Sequence, residues 1–257
     1  MTFGVCGDPA TAAAAAETGY DFAEWTVEAV LKPRESEQTF STALAPVRDA
    51  ALGYPVLNCF IPGDLKITGG EVDAAALRAY VSTAMARAER AGVEIIVFGS
   101  GGARRIPDGY DRTAAHEQLA VFCSMAATIA GNHGVTIVVE PLNLRECNVL
   151  NTVAECAELV MQVSLPALKL LVDAYHLMLD ADSPADVIAY GTLIAHTHVA
   201  TVPNRLAPGA EPCDLAPFFA ALNEAGYTGR VSIEAKIAEA RVDLPVALAE
   251  MKRLAGS

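Results

Sequence analysis

The 257-residue chain is poor in cations, with 18 lysines and arginines against 31 aspartates and glutamates and a formal charge of −13. That deficit excludes a partnership driven by phosphate binding, which needs a cationic surface, so nucleic acid is not an expected partner. The six cysteines, Cys6, Cys59, Cys123, Cys147, Cys156 and Cys213, include no CxxC pair and no close spacings, which removes a zinc ribbon and a disulfide framework. Reduced thiols in a cytoplasmic protein are the simplest expectation. No apolar run approaches the roughly 20 residues needed to span a bilayer, so no membrane is expected either. The alanine run at residues 12–16 follows Asp8-Pro9 and precedes Glu17 without a basic stretch before it, and it therefore reads as helix rather than secretory leader. Linkers rich in proline, serine or charge are also missing.

What the chain does have is 53% hydrophobic residues, ample for one large core, and a length that suits either one α/β barrel or two small domains. Short β-branched runs alternate with longer alanine-rich helical patterns. The expected strands are TFGVCG (2–7), FAEWT (22–26), YPVLNCFI (54–61), VEIIVF (93–98), TIVVEPLN (136–143), LKLLVDAY (168–175), LIAHTHVA (193–200) and RVSIEA (230–235). Helices are expected at 9–17, 35–51, 73–91, 112–133, 153–163, 184–190, 215–225 and 242–254. Asp8 before Pro9 forms an N-cap with proline at the first helical position, and Gly92, Gly134 and Gly226 act as stops. Eight strand and helix units of roughly 30 residues, without a linker, predict a single (β/α)8 TIM barrel over residues 1–257; the competing arrangement is a doubly wound open sheet.

Glu140, Asp173, His198 and Glu234 stand at or near the C-terminal ends of four separate apolar runs, where a core would not choose charge. In a barrel these strand ends share one rim, the rim that carries catalytic groups. Singly, each has an ordinary role: Asp173 would cap the next segment, His198 would be a satisfied half-buried histidine, and Glu140 or Glu234 would pair with Lys169 or Lys236. Jointly, three carboxylates on one rim repel one another by several kcal/mol at low effective dielectric unless a cation sits among them. Two Glu, one Asp and one His make a hard, charge-rich donor set suited to Mn²⁺, Mg²⁺ or Co²⁺, with zinc a further candidate.

With Glu140-Pro-Leu-Asn143, Asp173-Ala-Tyr-His176, His196-Thr-His198 and Ser232-Ile-Glu234 in this order, the chain resembles the xylose isomerase-like barrel superfamily. Within it, the resemblance is to the sugar isomerase and epimerase group that includes D-tagatose and D-psicose 3-epimerases. It spans the whole chain and is strongest after Gly134. It implies one metal, Mn²⁺ foremost, held by Glu140, Asp173, His198 and Glu234, with Glu140 and Glu234 also transferring protons. Substrate contacts are implied for Glu146, His176 and Arg205, although Arg205 follows Pro203 and stands one residue later than the family pattern. A small sugar as substrate and a homo-oligomer, dimer or tetramer, are further implications.

The chemistry agrees with that implication. A proton beside a carbonyl is too weakly acidic for a free carboxylate, and a cation binding the carbonyl and adjacent hydroxyl oxygens stabilises the cis-enediolate. Two carboxylates on opposite faces then exchange one proton for another and invert the carbon. Return of the proton to the neighbouring carbon gives aldose–ketose isomerisation, as in the related hydroxypyruvate isomerases. Departure of a β-leaving group gives a carbon–oxygen lyase or dehydratase acting on a keto-sugar or inosose, and the sequence does not separate these outcomes. An endonuclease IV-like nuclease of the same superfamily would need further histidines where the chain has Asn58-Cys59 and Gly99-Ser100, and an Asp-x-His pair that is absent. A non-catalytic sugar binder would not need both glutamates.

The remaining features have plainer readings. Gly99-Ser-Gly-Gly102 followed by Arg104-Arg105 looks like a phosphate nest, but a glycine loop after a barrel strand is more often a turn. Trp25 and Phe60 suit a sugar-facing wall or core packing equally. Cys59 at the third strand end suits an approach to substrate or, more plainly, a buried structural thiol, and His116 and His133 read as surface or capping residues. His196 shares a strand face with His198, which suits a supporting role behind the metal.

Overall fold

Each of the eight expected runs forms a strand, and most strands stop where polar residues or glycine take over. The strands are β1 (Thr2–Cys6), β2 (Phe22–Thr26), β3 (Val56–Asn58), β4 (Ile95–Phe98), β5 (Thr136–Val139), β6 (Leu168–Asp173), β7 (Ile194–Val199) and β8 (Arg230–Ile233). The computed structural model describes residues 1–256, and in it the eight strands pair in parallel, in chain order, into a closed barrel. β1 pairs with β8 through Thr2 to Val5, which closes the ring and leaves no open-sheet edge. This is the (β/α)8 barrel expected from the repeating pattern.

The helices start where short polar side chains can accept orphan amides. Asp8, Ser36, Asp73, Asp111 and Thr152 each accept a backbone N–H from the first turn, worth about 1 kcal/mol apiece. Gly19 and Gly92, both left-handed, close helices Pro9–Thr18 and Ala74–Ala91.

Several boundaries differ from the sequence expectation for local reasons. The run at 54–61 is a strand only over Val56–Asn58, because Cys59 turns to φ 53° and leaves the extended region. The strand at 168–175 ends at Asp173, whose side chain accepts the Tyr175 amide at 2.7 Å and caps a helix over Ala174–Leu179. Helix Arg112–Asn132 is capped by His133, with Gly134 one residue beyond. Two short helices, Val27–Val30 and Gly101–Arg104, span a single turn each and carry no readable period.

Inside the barrel, Phe22, Val56, Ile95, Val97, Val138 and Leu171 form a buried apolar plug separate from the larger core between strands and helices. Gly4 makes room for it: a Cβ there would lie 2.3 Å from the Phe22 ring. Side chains two apart on a strand share a face. Two residues beyond the plug, the same interior therefore receives Glu24, Asn58, Gly99, Glu140 and Asp173. Polar groups thus stack on an apolar floor at the C-terminal mouth. All six cysteines are free, and among the described residues no helix is long and apolar enough to cross a membrane.

Candidate metal centre at the barrel mouth

The four residues singled out by sequence converge. One donor atom each from Glu140, Asp173, His198 and Glu234 lies within 4.8 Å of every other, although the residues come from four separate strand ends. Donors about 2.2 Å from a common cation are at most about 4.4 Å apart when they lie opposite one another, so these spacings need little closing. A buried orphan supports the fit. Asp173 Oδ1 accepts the Tyr175 amide, while Oδ2 is buried without a hydrogen-bond partner. Gly99 supplies the clearance for Glu140, since a Cβ there would lie 2.2 Å from Glu140 Oε2.

His198 organises the centre. Its Nδ1 lies 3.3 Å from Glu140 Oε1 and 3.4 Å from Glu234 Oε2, and its Nε2 lies 2.9 Å from Glu24 Oε1. Burial opposes charge on the ring, yet the carboxylates of Glu24, Glu234 and Glu140 hold it protonated well above the ordinary 6.5. A cation entering this set would displace that proton.

The two glutamates are not equivalent. Burial raises the Glu140 carboxyl above its ordinary value. Burial also opposes ionisation of Glu234, but the His198 charge and the Arg205 guanidinium, 2.6 Å away, bring it down to about 2. The Lys169 and Lys236 pairings considered for these glutamates do not form among the described residues; Arg205 takes that place at Glu234.

The three expected substrate contacts line the same cavity, of about 430 Å³, as Glu140 and Glu234. That volume lies within the roughly 300–1,000 Å³ typical of small-molecule sites. The displaced Arg205 still reaches it: left-handed at φ 57°, it bridges Glu234 Oε2 and Glu146 Oε1 and lies 4.8 Å above the Tyr175 ring. At His176, the Asn143 backbone N–H donates to Nδ1 at 3.1 Å, so the ring proton sits on Nε2. That Nε2 is buried, unpartnered and 3.5 Å from Asp173 Oδ2. Asn143 Nδ2 lies 2.7 Å from His176 Nδ1 and donates to Glu146 Oε1 at 2.9 Å, so one residue orients two of the contacts. A wider groove of about 600 Å³ between surface helices, lined by residues such as Arg78, Ser124 and Gln162, gathers no comparable set of reactive groups.

Other sequence readings are redirected. Arg104 does not serve a phosphate nest: it is fully buried and donates to the carbonyls of Phe98, Glu140 and Leu150. Of the two readings of Cys59, the buried structural thiol does not hold: it is exposed and lines the cavity. Phe60 belongs to the core, Trp25 packs beside Tyr54, and His133 pairs with Glu89 at 2.7 Å. Glu24 escaped the sequence reading altogether. The signal was present in FAEWT, where a carboxylate sits in the middle of an apolar strand.

The family model described as "xylose isomerase-like TIM barrel" matches residues 12–254. A D-psicose 3-epimerase from Agrobacterium fabrum is 34% identical over 109 residues, which are 42% of this chain but only 37% of that enzyme. A Streptomyces coelicolor protein provisionally named a hydroxypyruvate isomerase is 27% identical over 240 residues, 87% of this chain and 84% of the relative. Among solved structures, a D-psicose 3-epimerase crystallised in the presence of D-fructose superimposes with a TM-score of 0.85 over the whole of both chains at 20% identity, a likeness of fold.

Proposed function

Since the chain belongs to the xylose isomerase-like TIM barrel family, we propose that it is a divalent-metal-dependent epimerase of a ketose or keto-sugar. Glu140 and Glu234 exchange the proton beside the carbonyl. The observation that carries this reading is the placement of two glutamates with opposite protonation tendencies in one four-donor cluster that opens onto a sugar-sized cavity. Mn²⁺ is the proposed cation because the donors are three hard carboxylates and one imidazole. When bound, the cation supplies Lewis-acid stabilisation of the negative charge that develops as the carbon acid ionises to a cis-enediolate.

The chain's own residues supply the remainder. Either glutamate, when ionised, removes a proton from its face of the substrate, and its partner, when protonated, returns one from the other face. In the metal-free cluster the proton affinities of the two glutamates are displaced in opposite directions. His176 offers its Nε2–H to a substrate oxygen, and Arg205 and Glu146 hold hydroxyls at the cavity wall. Arg205 also keeps Glu234 ionised when substrate is away. The Agrobacterium relative is named as an epimerase of a ketose, which supports the substrate class.

The longer alignment with the hydroxypyruvate isomerase relative favours a second reading, isomerisation, in which the proton returns to the adjacent carbon. One experiment separates these readings and also detects lyase chemistry. The Mn²⁺ form is incubated with a panel of ketoses, keto-sugars and hydroxypyruvate in D₂O, and products are resolved by NMR. Deuterium at the inverted carbon marks epimerisation, deuterium at the former carbonyl carbon marks isomerisation, and an unsaturated product marks elimination. Glu140→Gln and Glu234→Gln are each expected to abolish inversion; unchanged deuterium uptake in both variants overturns the two-carboxylate mechanism.

A further inference from the structure

Glu24 lies in the interior of the barrel, 0% exposed, between the apolar plug and the four-donor cluster. A carboxylate buried this deeply must be answered by donors, and three are present. Its Oε1 accepts from His198 Nε2 at 2.9 Å, while its Oε2 accepts from His196 Nε2 at 2.9 Å and from Ser232 Oγ at 2.7 Å. These partners come from β7 and β8, so the contacts cross the barrel interior from β2.

The geometry leaves His198 one arrangement that serves a cation. A carboxylate only accepts, so the His198 proton shared with Glu24 sits on Nε2. Nδ1 is the nitrogen that faces Glu140 and Glu234. Rotating the ring to present Nε2 instead would break the Glu24 contact and leave the buried Oε1 without its donor. His196 does not compete for the cation: its Nε2 is committed to Glu24, its ring stands 87° to that of His198 with centroids 5.0 Å apart, and its Nδ1 has no partner.

Building on the metal-dependent reading above, we propose that Glu24 is a positioning residue for the metal centre: held by His196 and Ser232, it pins His198 in the Nε2–H form so that Nδ1 is the donor to the cation. The same contact makes Nδ1 a better donor, because a carboxylate accepting Nε2–H pushes electron density into the ring. A carboxylate behind a metal-binding histidine is worth about 10–100-fold in metal affinity. Glu24 touches neither substrate nor the reacting atoms, so its effect appears first in metal binding.

The test measures Mn²⁺ affinity of the metal-free protein by EPR, for wild type and Glu24→Gln. Glutamine keeps the shape and can accept from His198, but it lacks the charge and a second acceptor oxygen for the His196 and Ser232 donors. A roughly 10–100-fold weaker affinity is expected, with a melting temperature of the metal-free variant showing that it is folded. Long-range ¹H–¹⁵N NMR of the wild-type Mg²⁺ form provides a reading that needs no variant: His198 should show a protonated Nε2 and a metal-shifted Nδ1. Unchanged Mn²⁺ affinity in folded Glu24→Gln, or a metal-bound Nε2 in wild type, overturns the proposal. If wild type itself binds no divalent cation, the metal-dependent reading of the whole site fails instead.

Discussion

Replacing Arg104 with methionine removes a buried guanidinium that holds three loops together behind Glu140. Arg104 donates to Phe98 O at 3.1 Å, Glu140 O at 2.8 Å and Leu150 O at 3.2 Å, and lies 5.6 Å from the Phe98 ring centroid. Among the described residues no carboxylate pairs with it. Hydrogen bonds from a charged donor contribute about 1.5–3 kcal/mol each, an upper sum of about 4.5–9 kcal/mol. Two corrections reduce that figure. Phe98 O and Leu150 O keep a second donor each, the amides of Glu140 and Leu142. Removing a buried cation also recovers part of its desolvation cost. A net loss of about 2–4 kcal/mol remains, and for a chain of this size it lowers Tm by roughly 5–15 °C. Urea denaturation gives the stability change directly. Mn²⁺ affinity should fall as well, because the Glu140 peptide loses its clamp. Arg104→Lys, able to reach one carbonyl, should fall between the two. A methionine variant within about 0.5 kcal/mol of wild type would refute the reasoning, because that is the range of substitutions that touch nothing important.

Two further expectations follow from the electrostatics of the cluster. His198 has a folded-state pKa raised well above 6.5, so its proton adds stability to the metal-free protein that is fully present below about 6.5 and is lost as pH rises through the raised value. Because a cation must displace that proton, Mn²⁺ affinity should rise with pH over the same range. Calorimetric titration in buffers of different ionisation enthalpy should detect proton release, and a binding enthalpy independent of buffer sinks this account. Arg205→Ala removes one of the two cations that hold Glu234 at about 2, so the Glu234 carboxyl should titrate at higher pH. The acid limb of the kcat/KM profile should move upward and KM should rise through the lost wall contact; an unmoved limb would show that Arg205 does not govern Glu234.

Much of the site was legible because its residues break local rules. Glu140 follows TIVV, Asp173 ends LKLLV, and Glu234 ends RVSI, so each announces itself as a charge where an apolar run should simply stop. Glu24 breaks the same rule inside FAEWT, yet a single mid-strand carboxylate has no local partner to suggest what answers it. Its three donors lie 172, 174 and 208 residues away. Arg104 shows the opposite case. Beside Arg105 and after glycines it adds charge to what looks like a phosphate nest, and only the packing of the β4 and β5 ends shows that it is interior.

By itself the sequence determined the eightfold alternation, the helix caps, the placement of ligand-type side chains at strand ends and, through their order, the family. These depend on periodicity and on contacts within a few residues, which a linear chain displays. The tertiary structure alone decided which nitrogen of His198 faces the cluster, which glutamate is held ionised, that Asn143 orients both His176 and Glu146, and that Arg205 reaches its place despite the shifted loop. Those outcomes depend on distances of 2.6–3.4 Å between groups from different strands and loops. Closing the barrel sets them, because the electrostatics of a buried cluster are fixed by who ends up beside whom and not by the residues themselves.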